Sequence, residues 1–454
     1  MGICYGIGKM IQNRNFKNPL YKKWFMKGLS AKLWGGLAFA LVYTFYFDYG
    51  GDTRAYWGDA KVLTNVLMEN PGVYLEVIAH KRENVSSEAV DYLLKMSFHA
   101  QQEYYVANFI SIFNLLGFGS YFSTTLLVAL FSYWGVWHFF LLLVSKYPRM
   151  EKQMAFAALF IPSVFFWGSG ISKDSLIFCC VGLFLYYINK LASGRFWQIG
   201  TLLIIATSGY FMFVVKPYVL ISLVPAVVLW RTLHLRDNIK NGFIKAAVLP
   251  LVGAIAIFVM VYALNFLAQY NARYSVDSFV DTAASMQGWH YVEGANSSAE
   301  NGRGSSYTLG DYDQSSWKGL LKIFPAAVNV TYFRPYLWEV GNAGMLAQAL
   351  ESLVFLLATV YILLKVGPLK VYGYISNDSF LLMCLVFAMF FGFAVGFSSY
   401  NFGALSRYKI PSVPFYVAAL LILWEKTRQT KLDQRQRTVK KKLRTNAGVP
   451  GFAR

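Results

Sequence analysis

Negative charge and cysteine are what this 454-residue sequence has least of. Charged residues of both signs make up only 14 %, Asp and Glu number 23 against 42 Lys and Arg, and there are four cysteines and five histidines. So small a charged fraction excludes a soluble chain of this length, whose surface would draw on about a quarter of its residues being charged. Cys4, Cys179, Cys180 and Cys384 fall in a basic terminal segment and in apolar runs. The histidines are equally scattered, so the spacing supports neither a disulfide framework nor a zinc site. A cleavable leader is also missing: the first apolar run begins roughly thirty residues in, behind a basic stretch without a small-residue cleavage site, and is expected to remain as an anchor.

What is present is apolar surface. Hydrophobic residues reach 56 % and aromatics 18 %, the composition of an all-α, polytopic integral membrane protein. The net charge of +19 resides mostly in the tails. Residues 1–32 carry seven cations and no acid, and TRQTKLDQRQRTVKKKLR after Glu425 is nearly as one-sided. Both ends therefore read as cytoplasmic. The basic tail is expected to lie against anionic membrane lipid, and nucleic acid is not expected as a partner.

Apolar runs and basic turns together predict ten transmembrane helices, within a range of nine to twelve. The first is expected at 33–49, followed by an external loop at 50–104 in which HKRENVSSEAVDYLLKM reads as an interfacial helix. A membrane-dipping segment at 105–119 precedes the second span, 121–145. Hairpins at 155–191 and 197–230 supply spans three to six, with Lys173-Asp174 and Lys216-Pro217 at their tips. Span seven, 244–268, leads into a second external loop, 269–343, whose last part, KIFPAAVNVTYFRPYLWE, is expected in the outer interface. Spans at 344–365, 379–397 and 410–424 complete a single membrane domain, 33–424, before the basic tail, 425–454.

On this topology four cations stand on the side where the positive-inside rule does not expect them: Lys173, Lys216, Arg334 and Arg407. Each could snorkel to headgroups or cap a helix. Taken together, and with no surplus of acids beside them, they call for an anion, and lipid phosphate is the anion at that depth. FYFDYGGDTRAYWGDA, residues 45–60, places Asp48, Asp52 and Asp59 at the same level. A carboxylate there would deprotonate an acceptor hydroxyl or hold a divalent metal that does so. A helix over 52–68 would align Asp52, Tyr56 and Asp59 on one face. Asp52 as a helix N-cap is the alternative, and the two roles are compatible. In FRPYLWE, Glu339 either helps to hold a sugar or pairs with Arg334.

With GGDTRAYWGDA after the first span and NFGALSRYKIPSVPFYVAALLIL late in the chain, the sequence resembles the GT-C superfamily of membrane glycosyltransferases, which use polyprenyl-phosphate-linked sugars. The resemblance implies that Asp52, or Asp48, is the base or metal-linked acid, and that Arg407, with its neighbour Tyr408, contacts the lipid phosphate. It implies a glycan, lipid or protein acceptor, no cofactor beyond an optional divalent metal, and an outward-facing site in a bacterial cytoplasmic membrane. NFGALSRYK is also similar to the N-x-G-x-x-x-R stretch of Wzy-like polysaccharide polymerases, so a polymerase or ligase of lipid-linked glycans is the nearest alternative. A transporter or flippase of lipid-linked sugars is the third; span centres nearly free of charge argue against it.

Overall fold

The computed structural model describes residues 1–47, 51–79, 84–98, 101–192, 198–236, 305–310 and 317–447. Their regular structure is helical, with no strand among the described residues and an isolated bridge between Ser306 and Asn401. The N-terminal half comprises α1 (Gly2–Arg14), α2 (Met26–Phe45, entered through a π turn at Tyr21–Phe25), α3 (Gly51–Glu69), α4 (Pro71–Ala79), α5 (Ser87–Leu93) and α6 (Gln101–Leu116). Then come α7 (Tyr121–Lys146), α8 (Glu151–Leu159), α9 (Pro162–Trp167), α10 (Lys173–Ala192), α11 (Ile199–Val215) and α12 (Pro217–Arg236). The C-terminal part holds α13 (Trp317–Phe333), α14 (Ala343–Val366), α15 (Pro368–Ser376), α16 (Ser379–Ser399), α17 (Phe402–Tyr408) and α18 (Val413–Ala447).

Among the described residues five helical segments are long and apolar enough to cross a membrane: Tyr21–Phe45, Tyr121–Lys146, Lys173–Ala192, Ala343–Val366 and Ser379–Ser399. Ile199–Val215 and Pro217–Leu233 are apolar but shorter. α7 illustrates why these segments are helices. Ser120 caps its start by accepting from the Ser123 amide, no Asp, Glu, Lys or Arg interrupts it before Lys146, and Pro148 stops it. At 1.5 Å per residue its 26 residues span about 39 Å.

α7 and α10 pack lengthwise because two glycines let their backbones meet. A methyl group on Gly135 would overlap the Cys179 backbone, and one on Gly182 would overlap the Gly135 carbonyl. Both positions are buried and the nearest obstructing atoms are backbone, which no side-chain rearrangement can move aside. Gly135→Val is therefore expected to abolish monodisperse protein in detergent gel filtration, whereas Gly200→Val, where a Cβ meets nothing within 4 Å, should elute as wild type.

Several boundaries differ from expectation for physical reasons. The first span begins at Tyr21 rather than 33, which takes Lys22, Lys23, Lys27 and Lys32 into the helical segment. Residues 2–14, expected as part of a basic tail, form α1 and fold back along α2. Cys4 Sγ donates to the Leu126 carbonyl at 3.9 Å, and Gly8 lies against Leu29. Its first seven residues, Gly2–Gly8, carry no charged side chain, a patch too short for a span-length window to register. The expected third span is broken at Phe160-Ile161, where Pro162 starts a new helix, into α8 and α9. Residues 322–339 belong mostly to α13, which packs on α16: Thr331 Oγ1 donates to the Gly392 carbonyl at 2.6 Å and Tyr332 Oη to the Ala388 carbonyl at 2.7 Å. The tenth span continues without a break through the basic tail to Ala447. The seventh span, 244–268, lies outside the described residues, as does most of the 269–343 loop.

The 50–104 loop folds into α3, α4 and α5 with a small core of its own, in which Leu63, Val66, Val77 and Leu93 pack with Tyr104 of α6. Of the stretch 80–96 expected as an interfacial amphipathic helix, α5 covers Ser87–Leu93, capped by Ser86 and turning Ala89 and Leu93 into this core, while residues 80–83 lie outside the described residues. Thr53 Oγ1 and Tyr121 Oη share a hydrogen bond at 3.0 Å, and Arg54 lies over the Tyr121 ring while donating to Thr44 Oγ1 at 2.8 Å. These contacts tie α3 to the ends of α2 and α7 and fix the direction in which Asp52 points.

Candidate functional site

α3 opens with Gly51 at φ +54°, in the left-handed region, with the Tyr43 ring against its Cα. Asp52 consequently stands in the first turn of the helix and not at the N-cap, where its charge still complements the helix dipole. Its Oδ2 accepts from Arg407 Nη1 at 3.1 Å. Asp48 lies outside the described residues.

Arg407 and Tyr408 are brought there by α17. Asn401 caps that short helix by accepting from the Gly403 and Ala404 amides. Burial works to lower the Arg407 pKa, but Tyr43 and Asp52 beside it outweigh burial and raise it, so the guanidinium is permanently charged. Tyr408 offers its ring to Lys216, whose Nζ lies 4.3 Å from the centroid. Lys216 itself ends α11 and pairs with Asp174 of α10 at 2.5 Å, both side chains being almost fully buried. Next to that pair Lys173 meets Glu103 of α6, also at 2.5 Å.

Tyr56 and Asp59 share the Asp52 face of α3, as their spacing predicts. Tyr56 is buried and packs on Phe98 with ring centroids 4.6 Å apart. Burial, reinforced by Glu103 and Asp52, pushes its pKa far above the ordinary range, so it serves as an O–H donor and never as a base. Asp59 is buried too and uses its carboxylate on the backbone, accepting from the Ser97 amide at 2.6 Å and the Phe98 amide at 3.1 Å. That holds the 97–98 turn under Tyr56. Arg334 sits apart, against Phe402 at the opposite end of α17 from Arg407, with Nε at 3.0 and 3.1 Å from the two Glu339 oxygens.

The structure thus gathers Asp52, Tyr56, Lys173, Lys216, Arg407 and Tyr408 into one neighbourhood and sets Arg334–Glu339 beside it. It also removes a premise of the sequence reading. All four unexpected cations have carboxylate partners: Glu103, Asp174, Glu339 and Asp52. Three of those pairings join residues far apart in the chain, Asp174 lying 42 positions from Lys216, Glu103 70 from Lys173 and Asp52 355 from Arg407, which is why acids appeared to be in deficit. Asp52 is the exposed member, with 53 % of its side chain accessible, against 5 % for Asp174.

A second expectation fails as well: the bundle interior is not nearly free of charge. Lys32 is buried and donates to the Gly168 carbonyl just past α9. At the start of α9, Glu351 Oε2 accepts from the Ser163 amide at 3.1 Å. α9, the second half of the broken span, thus meets at each end a side chain whose sign suits the helix dipole. Lys409, 0 % exposed, faces Glu351, yet its Nζ has no hydrogen-bond partner among the described residues. In the sequence Lys32 counts with the basic N-terminal segment, and nothing singles out Lys409. Glu351 carried no sequence signal beyond being an acid within an apolar run. Among the described residues no group of three or more His, Cys, Asp or Glu side chains could hold a metal ion.

Compared with models of protein families, with curated proteins and with solved structures, the chain matches none of them.

Proposed function

We propose that this protein is a membrane glycosyltransferase that takes a sugar from a polyprenyl-phosphate-linked donor, with the lipid phosphate as leaving group. The observation that supports this most is the 3.1 Å contact between Asp52 and Arg407, residues 355 positions apart. The two belong to the two motifs on which the resemblance rests. Because the pair is partly exposed, a phosphate oxygen can replace the carboxylate on Arg407, and a planar guanidinium grips phosphate bidentately. Asp52, released, takes the proton of the acceptor hydroxyl as that oxygen attacks the anomeric carbon. The bond from that carbon to the phosphate oxygen breaks, and its electron pair leaves with the phosphate beside Arg407. Lys216, neutralised by Asp174 and packed on Tyr408, stiffens the wall of the site, and Tyr56 has a proton to donate in a hydrogen bond. The ten-span topology with both termini cytoplasmic and the site facing outward, in a bacterial cytoplasmic membrane, belongs to the same proposal.

A second reading, a transporter or flippase of lipid-linked sugars, gains from the broken α8–α9 span and the buried Lys32 and Lys409, since interrupted helices and intramembrane charges accompany transport. One experiment separates the two. Purified protein in liposomes is given a radiolabelled polyprenyl-phosphate sugar, and free polyprenyl phosphate is followed together with the leaflet position of the donor. Release of polyprenyl phosphate supports transfer, whereas translocation of intact donor without cleavage would overturn it.

A further inference from the structure

A different part of the molecule carries an inference of its own. Where α14 ends against α18, a cavity of about 180 Å³ is lined by Lys365, Trp424, Arg428, Lys431 and Arg435, together with Thr427 and Leu432. The α18 residues follow helical spacing, 424, 428, 431 and 435, so they form one face of that helix. No acid lines the cavity. Arg428 pairs with Glu425 at 2.9 Å, but Lys431 and Arg435 are exposed and form no ion pair with any described residue. Lys365 Nζ stands 4.3 Å from the Trp424 ring centroid, which fixes one cation at the rim.

An apolar track leads to this groove. Leu350, Val354, Leu357 and Tyr361 recur at spacings of four, three and four along α14, all exposed, and the next position in the series is Lys365. Tyr361 and Trp424 are in ring contact at 5.3 Å. A cationic pocket that continues a lipid-length apolar stripe has the shape of an amphiphile. We infer that this groove is a binding site for an anionic glycerophospholipid, its phosphate held by Lys365, Lys431 and Arg435 and an acyl chain lying on the Leu350–Tyr361 stripe. A soluble anion would leave the stripe uncovered, and a zwitterionic lipid would leave the cations without net compensation.

The test uses full-length protein purified in phosphatidylcholine and detergent, titrated with phosphatidylglycerol and followed by native mass spectrometry and thermal stability. Wild type is expected to retain phosphatidylglycerol and to be stabilised by it, while phosphatidylcholine gives no comparable gain. Lys431→Gln/Arg435→Gln, in exposed side chains that form no ion pair among the described residues, should fold normally and bind phosphatidylglycerol roughly 10-fold to 100-fold more weakly. Lys431→Arg/Arg435→Lys should restore binding. Equal retention by the Gln variant overturns the site, as does equal binding of phosphatidylcholine. So would an equal effect of inorganic phosphate or an oligonucleotide, which would assign the groove to a soluble anion.

Discussion

Asp52→Asn is expected to lower turnover of the lipid-linked donor by roughly 10²-fold to 10⁴-fold, the range in which a positioned general base contributes, while the yield of folded protein stays near wild type. The separation follows from exposure. Asp52 is 53 % accessible, so its bond to Arg407 is partly exposed, and pairs of that kind contribute about 1 kcal/mol or less to stability. The loss must then appear in the chemistry. Arg407→Ala should raise the donor concentration needed for half-maximal rate as well as slowing turnover, because it removes the phosphate contact. Arg407→Lys, a point charge without the planar fork, should fall between. Turnover by Asp52→Asn at the wild-type rate would eliminate Asp52 as the base, and identical donor binding by Arg407→Ala would eliminate the phosphate role.

Asp174→Ala should have the opposite signature, a loss of fold. It leaves the Lys216 ammonium buried with no counter-charge, in a place where both partners are almost fully enclosed and 2.5 Å apart. Breaking a buried pair by removing one partner costs about 3–5 kcal/mol, whereas replacing both by apolar groups of similar volume is close to neutral. Asp174→Leu/Lys216→Met is therefore expected to recover most of the melting temperature that Asp174→Ala loses. If the double variant is as unstable as the single one, charge compensation is not what the pair contributes. The recovered double variant then serves a second purpose: its donor turnover reports whether Lys216 matters to the reaction apart from its place in the fold.

The two pairs illustrate how differently a sequence exposes its contents. The local part was legible: Asp52, Tyr56 and Asp59 do share a face of α3, since helical periodicity depends only on neighbours along the chain. The Lys216-Pro217 turn between α11 and α12 and the apolar runs at 121–145, 344–365 and 379–397 were equally visible, matching helices within two residues at each end, because burying a run of apolar side chains needs no particular partner. Asp59 shows the limit. Its place on the face was right, but only the packed structure reveals its carboxylate holding the Ser97 and Phe98 amides.

The sequence by itself determined an all-helical chain with several membrane-length helices, and a set of charged residues concentrated near the ends of those helices. Only the tertiary structure decided which acid answers each cation, that Lys32 and Lys409 are enclosed, and that one span breaks into α8 and α9 with Glu351 and Lys32 at the two ends of α9. The physical reason is range. Helix formation and hydropathy are summed over adjacent residues, whereas an ion pair such as Asp52–Arg407 acts over a few ångströms in space between groups separated by most of the chain, and nothing in the local composition records that distance.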